Sequence, residues 1–349
     1  EERMRISRTI VEEAMKSKKA FLSADAASDE RFGMAQSIAD FSIRSLVCAP
    51  MISIDGEPIG VIQIDTLNQR ARFTDEDLEV LASVASQAAV AIDNAKMHEQ
   101  VVTQRALQRD MELARQMQRT LLPSKPPQVP GYFFFDYYQA ARQVGGDYFD
   151  YVPLPGGRYA VIVGDVAGKG VPAALMMARL SADVRFSLAS ESDPAMAIQQ
   201  INEGFAHHDW SDRFVTMIAA VLNPKSGELI MVNAGHMAPL LRRHGGDVEE
   251  IGEEAAGLPL GVATGYEYQA YRHVLEPGDV VTLFTDGFSE AMNGERELYG
   301  LQRLKDQITS PAANMADFGR HILEDVREFV NGVDQSDDMC LVCFGRVEA

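Results

Sequence analysis

VIVGDVAGKGVPAALMMARL, residues 161–180, sets a β-rich run, a glycine-bounded acid and an alanine–methionine–leucine segment in immediate succession. The run ending at Asp165 reads as a strand. The segment from Val171 reads as a helix over about 171–189, whose apolar face is core by default. The loop between them superficially resembles a phosphate cradle. A P-loop needs four residues between its first glycine and Gly-Lys-Ser/Thr. Here only Asp165, Val166 and Ala167 separate Gly164 from Gly168, Lys169 is followed by Gly170, and one of the intervening residues is an acid. A nucleotide loop is therefore excluded. What remains is a carboxylate at a strand end, with glycines that let another group approach the backbone.

Three other places repeat that design: Gly-Gly-Asp147, Phe-Thr-Asp286-Gly and Ser-Asp337-Asp338. Strand-like runs surround them (YFFFDYYQA, TMIAAVL, LIMVNA, VVTLFTDG, MCLVCFGRV), joined by turns at Pro155-Gly-Gly, Pro224-Lys-Ser-Gly, Gly245-Gly246 and Pro277-Gly278. Helical patterns fall near 171–189, 194–207, 300–308 and 314–330. Hairpin strands with two groups of helices predict stacked antiparallel sheets flanked by helices. Four converging carboxylates repel unless they hold cations, and oxygen-only donors suit Mg²⁺ or Mn²⁺. Each Asp-Gly turn alone is equally a solvated turn. Within QVGGDYFDY (143–151), Asp147 and Asp150 fall on opposite faces of an extended strand. They are no carboxylate pair, and Asp150 defaults to a structural or outer-shell role.

Upstream, residues 1–92 read as a mixed α/β unit, with Asp55-Gly56 as a hairpin turn and Thr74–Asp77 as a capping box. No Gly or Pro occurs from Asp75 to Leu122, and apolar residues recur at helical spacing, interrupted by Gln104 and Gln118. This predicts a long helix, either one strand of a two-stranded coiled coil or a helix folded back on its own domain. The Pro-rich 123–131 closes a connector, 93–131, before a second domain at 132–349.

The chain has 349 residues, 46% hydrophobic and 24% charged, with a formal charge of −19. That charge opposes nucleic acid and anionic membrane as partners. No apolar run reaches the length of a spanning helix. The chain opens on Glu1 rather than Met and shows no signal peptide, and the sequence leaves open whether residues precede it. Cys48, Cys340 and Cys343 form no disulfide framework. Cys340 and Cys343 fall on opposite faces of one strand, as core thiols, which fits a reducing cytoplasm.

In order, VGGDYFDY, VIVGDVAGKGVPAALMMARL, NAGHMAPLL, GLPLGV, PGDVVTLFTDGFSEAMN and QSDDMCLV resemble the SpoIIE/RsbU branch of the metal-dependent, type 2C serine/threonine protein phosphatases, over about 132–347. The resemblance implies an α–β–β–α sandwich with two Mn²⁺ or Mg²⁺ ions, a water activated by them for direct attack on phosphorus, and a phosphoserine or phosphothreonine protein substrate, an anti-sigma-factor antagonist. It implies Asp165 as bridging ligand, Asp286 and Asp337 on one ion, Asp147 and the Val166 carbonyl on the other, and Asp338 beside the ligands. Eukaryotic relatives place an acid before the first aspartate; Gly146 stands here. Arg142 occupies the place of a phosphate-binding arginine and is read either so or as a solvated charge. His236 is read as a hairpin-turn histidine rather than a leaving-group acid, and His207-His208 as a helix-end pair before Asp209.

Residues 43–95 resemble the C-terminal half of a GAF domain, whose first strands are missing. ELARQMQRTLLP (112–123) resembles the helix that joins sensor to output in these phosphatases. The expected organisation is a GAF-like sensor for a small-molecule or protein signal, a signalling helix and a phosphatase, homodimeric through 75–122. The alternatives are a catalytically silent scaffold of the same fold, or a phosphodiesterase, which the acidity opposes.

Overall fold

The computed structural model describes residues 8–24, 29, 45–68, 72–207, 213–309 and 315–347. His208 and Asp209 lie outside them. The chain divides into two compact units, 1–108 and 109–349.

In the first unit, helix α1 (Arg8–Ser17) precedes a three-stranded antiparallel sheet of β1 (Phe21–Ser23), β2 (Ser45–Ile52) and β3 (Pro58–Thr66). Helix α2 (Asp75–Arg119) follows, and the boundary between the units falls within it. The faces of β2 alternate as a pleated strand must. Leu46 and Cys48 pack with Ile10 and Ala14 of α1, whereas Val47 and Ala49 pack with Leu81 and Ala85 of α2. The β2–β3 turn closes through Gly56 at φ +78°, a conformation that costs glycine nothing. Thr74 caps α2 reciprocally: its N–H donates to Asp77 Oδ2 at 2.8 Å, and Asp77 N–H donates to Thr74 Oγ1 at 3.4 Å. No helix of the described residues is long and apolar enough to cross a membrane.

The second unit contains β4 (Tyr132–Gln139), β5 (Tyr148–Leu154), β6 (Arg158–Val166), α3 (Val171–Ser190), α4 (Pro194–Ala206), β7 (Val215–Leu222), β8 (Glu228–Ala234), β9 (Leu240–Arg242) and β10 (Val248–Glu250). It continues with β11 (Ala270–Val274), β12 (Val280–Phe284), α5 (Asp286–Ser289), α6 (Leu301–Thr309), α7 (Met315–Val330) and β13 (Met339–Arg346). These strands make two antiparallel five-stranded sheets, ordered β10-β9-β12-β13-β4 and β11-β8-β7-β6-β5.

The near-continuous apolar run of β13 reflects burial on both faces. Cys340, Val342 and Phe344 enter the core shared with the second sheet. Leu341 and Cys343 enter a second core with Leu304, Ile308, Phe318 and Ile322 of α6 and α7. On the far side, Met176, Leu180 and Val184 of α3 and Ile198 and Ile201 of α4 close the second sheet. The result is the α–β–β–α sandwich. Cys48, Cys340 and Cys343 are all free and buried, and burial pushes the Cys48 thiol up to about 11 and Cys343 to about 12. Such thiols stay un-ionised and inert.

Candidate active site

Antiparallel register decides where the acids meet. Tyr148, which opens β5, pairs with Gly164 near the end of β6, so Asp147 and Asp165 lie at one end of the second sheet. Phe284, which closes β12, pairs with Leu341 near the start of β13, so Asp286 and Asp337-Asp338 lie at one end of the first. Stacking the sheets brings the two ends together. Asp165 accordingly feels the charges of Asp286, Asp337 and Asp338, and shares a hydrogen bond with Asp147.

Asp147 and Asp338 are buried, Asp165, Asp286 and Asp337 are half-buried, and the cluster is short of compensating charge. Asp147 is 1% exposed and its carboxyl is held well above the ordinary carboxylate range, by burial first and then by the Asp165 charge. Asp165 is pushed up to about 7, by burial and then by Asp286. Asp286 is raised by burial and then by Asp337. Burial also raises Asp338, against the peptide hydrogen bonds that favour its charge. Desolvation and like charge both disfavour the anions, and a bound divalent cation reverses both effects.

Neighbouring groups hold these side chains in place. The Thr285 hydroxyl donates to Asp147 Oδ2 at 2.7 Å and accepts the Cys340 N–H at 2.9 Å. Asp338 turns from the cluster to the approach loop: Oδ1 accepts Ala141 N–H at 2.8 Å, and Oδ2 accepts Gly146 N–H at 2.5 Å. Gly146 has no room for a side chain, since a Cβ would stand 2.9 Å from the Val166 carbonyl oxygen. A Cβ at Gly287 would collide with the Asp338 carbonyl.

Asp165, Val166, Lys169, Thr216, His236, Asp286 and Asp337 line a cavity of about 400 Å³. The Lys169 ammonium lies 2.8 Å from Asp337 Oδ2 and donates to the Ser336 carbonyl at 2.7 Å. Among the described residues no three acidic or imidazole side chains are already drawn together as a cation cage. Thr285, Lys169 and the loop peptides hold Asp147, Asp337 and Asp338 instead. The donor chemistry fits hard divalent ions: carboxylates and a peptide carbonyl, with no sulfur and a histidine whose nitrogens are engaged. His236 Nε2 lies 3.0 Å from the Phe284 carbonyl, so it carries the proton, and Nδ1 accepts from the Thr216 hydroxyl at 2.9 Å. Burial lowers this imidazole to about 4, so it is neutral and spent on structure.

The candidate Arg142 stands apart, and so does Asp150, which the sequence leaves outside the ligand set. Arg142 lines a neighbouring cavity with Arg115 and Arg119 rather than the acidic one. Asp150, 3% exposed, accepts from Arg185 Nε at 2.6 Å, the Tyr148 hydroxyl at 2.7 Å and the Tyr151 N–H at 2.8 Å. Sequence reasoning missed Thr285, Lys169 and Gln118. For Thr285 the signal was adjacency to a strand-end acid, for Lys169 its place in the glycine loop that follows Asp165, and for Gln118 the break in an apolar stripe.

Comparisons with known proteins agree with this architecture. Residues 1–93 match the GAF domain family. The phosphoserine phosphatase RsbU of Bacillus subtilis is 30% identical over 215 residues, 61% of this chain and 64% of its own. The phosphoserine phosphatase RsbP of the same organism is 26% identical over 67% of this chain and 57% of its own. The chain thus spans under two thirds of the length of these relatives. Among solved structures, the RsbU and RsbW domains of Rv1364c from Mycobacterium tuberculosis superpose with a TM-score of 0.55 at 29% identity, over 63% of this chain and 61% of theirs. The SiaA-PP2C domain of Pseudomonas aeruginosa gives 0.62 at 21% identity, over 70% of this chain and 99% of its own, and so shares the fold. Residues 155–347 match the family of stage II sporulation protein E, a span that holds Asp165, Asp286 and Asp337 and begins just after Asp147. The match covers more than half of the chain, which therefore belongs to the SpoIIE family.

Proposed function

We propose that this chain is a metal-dependent phosphoprotein phosphatase acting on phosphoserine or phosphothreonine of a partner protein. The observation that carries the reading is the meeting of Asp147, Asp165, Asp286 and Asp337 at the joined ends of two sheets, Asp147 buried and the other three half-buried, with Lys169 the cation beside them. Asp165, Asp286 and Asp337 would hold one Mn²⁺ or Mg²⁺ ion, and Asp147, Asp165 and the Val166 carbonyl would hold a second. When bound, such ions lower the pKa of water and take up charge on the phosphoryl oxygens.

The chain's own groups prepare this chemistry. Thr285 orients Asp147, and Asp338 pins the loop that delivers it. Lys169 places a positive charge at the cavity, where an incoming phosphate monoester carries a negative one. Arg142, beside Gly170 but lining the adjacent cavity, is placed to meet flanking parts of the substrate. Among the described residues no cysteine lines the cavity for a covalent phosphoenzyme route.

The substrate class rests on the similarity to RsbU and RsbP and on the motif resemblance, which points to an anti-sigma-factor antagonist. The GAF match supports a small-molecule or protein signal upstream. The exposed apolar side chains of α2, among them Val84, Val90, Met97 and Val101, support dimerisation along that helix. Free buried thiols support a reducing cytoplasm.

The test is Mn²⁺-dependent hydrolysis of a phosphoserine peptide, with Asp286→Ala as control. The expected result is turnover that EDTA abolishes and Asp286→Ala lowers by at least a hundredfold. No turnover with metal, or equal turnover in the variant, refutes the reading.

A further inference from the structure

Arg115 and Arg119 lie four positions apart on α2 and so share one face of the helix. The loop after β4 carries Arg142. With Tyr138, Gln139 and Gln143, the three arginines line a cavity of about 360 Å³, and none of the residues lining it is acidic. All three arginines are exposed. Among the described residues Arg115 reaches one carboxylate, Glu112 Oε2 at 3.9 Å, and Arg119 and Arg142 make no ion pair. The whole chain carries 51 acidic and 32 basic residues, so this cavity reverses the prevailing sign.

Two ties hold the walls of the cavity. Gln118 Nε2 donates to the Gly145 carbonyl at 2.7 Å and joins the end of α2 to the loop. Ala141 N–H donates to Asp338 Oδ1 at 2.8 Å and joins the same loop to the segment that carries Asp337. Arg142 follows Ala141, and its Nη1 lies 4.0 Å from where a Cβ at Gly170 would stand. Gly170 in turn follows Lys169, which lines the acidic cavity. The Arg142 guanidinium therefore stands where the acidic cavity and the arginine cavity approach each other.

We propose that the cavity of Arg115, Arg119 and Arg142 is a substrate subsite for an aspartate or glutamate that flanks the phosphoserine of the partner protein on one side. The inference rests on the reading of the chain as a phosphoprotein phosphatase. An extended peptide advances about 3.3–3.6 Å per residue, so a segment whose phosphoserine enters the acidic cavity meets Arg142 within its first few flanking residues. A guanidinium presents a planar fork of N–H donors that matches a carboxylate. Most of this acidic surface repels such a segment, and the arginine cavity attracts it. The subsite thus selects which phosphoserine is accepted, and it leaves the phosphoryl group to the acidic cavity.

The experiment compares phosphoserine peptides that differ only in carrying aspartates or asparagines, either just before or just after the phosphoserine. Two readouts are taken on the whole chain: kcat/KM with Mn²⁺, and affinity by fluorescence anisotropy in EDTA. The proteins are wild type, the double variant Arg115→Gln with Arg119→Gln, and Arg109→Gln as control. Arg109 is an exposed arginine of the same helix that does not line the cavity. Wild type should favour aspartates over asparagines on one side by about tenfold in both readouts, as a few partly exposed charge pairs allow. The ratio should fall below about threefold in the double variant and persist in Arg109→Gln. Raising salt from about 0.05 to about 0.5 M should shrink the wild-type preference, because exposed charges are screened. A wild-type ratio near one on both sides overturns the subsite, and so does a preference that the double variant retains. If no peptide is turned over with Mn²⁺, the phosphatase reading fails, and the anisotropy ratio still decides the subsite. If the double variant does not melt cooperatively, Arg119→Gln takes its place, and an unchanged ratio in it overturns the proposal.

Discussion

Replacing Thr285 by valine separates the scaffold of the acidic site from its carboxylates. The residue is wholly buried, and valine reproduces its shape with a methyl in place of the hydroxyl. That hydroxyl accepts the Cys340 N–H at 2.9 Å and donates to Asp147 Oδ2 at 2.7 Å. The substitution strands a buried N–H, at about 1–3 kcal/mol, and removes a neutral bond to Asp147, at about 1 kcal/mol. The expected destabilisation of the metal-free sandwich unit is therefore about 2–4 kcal/mol. The same hydrogen bond favours the ionised form of Asp147, so its loss raises that carboxyl further. A hydrogen bond to a charged group contributes about 1.5–3 kcal/mol, equivalent to roughly 10- to 100-fold in Mn²⁺ affinity. Urea unfolding in EDTA, read from hydrogen exchange of the 339–346 peptide, isolates the unit concerned, and Mn²⁺ calorimetry reads the affinity. Thr285→Ser, which keeps the hydroxyl, should recover most of both losses. A Thr285→Val protein within about 0.5 kcal/mol of wild type and with unchanged Mn²⁺ affinity refutes the relay.

Two further outcomes follow from the electrostatics. Asp147 and Asp165 titrate in the folded state above the ordinary carboxylate value of about 3.9, with Asp165 at about 7. Their contribution to stability is complete below the unfolded value and lost as pH rises through the folded one. In EDTA the melting temperature of wild type should thus fall relative to Asp165→Asn between about pH 4 and pH 7. Saturating Mn²⁺ at pH 7.5 should reverse the order, and a flat difference across that window contradicts the burial argument. Asp150→Asn should cost about 1–3 kcal/mol, discounted because its partner Arg185 is half exposed. Mn²⁺ affinity should stay within about twofold, and a large loss on calorimetry would overturn the reading of Asp150 as structural.

The elements of this protein are written locally. The apolar run MCLVCF of β13 requires burial on both faces, and the structure sends Cys340 and Cys343 into different cores, as strand parity demands. The capping of α2 by Thr74 and Asp77 and the glycine turn at Gly56 are fixed by neighbours within a few residues. The strand-end acids are legible for the same reason: a carboxylate beside glycine at the end of an apolar run is a local pattern. The sequence shows these acids one by one and only the tertiary structure joins them, because Asp147 and Asp165 share one sheet, Asp286 and Asp337 share another, and stacking closes the gap. Stacking also decides roles that no local rule assigns. It directs Asp338 to the loop peptides rather than the cavity, and it commits Asp150 to Arg185 and Arg142 to a separate cavity beside α2. It pairs Gln118 with Gly145 across 27 positions of sequence. Hydrogen bonds and charges act over a few ångströms of space, whereas residue patterns report only neighbours along the chain. The sequence by itself therefore determined which residues are available to the site, and packing determined which of them meet.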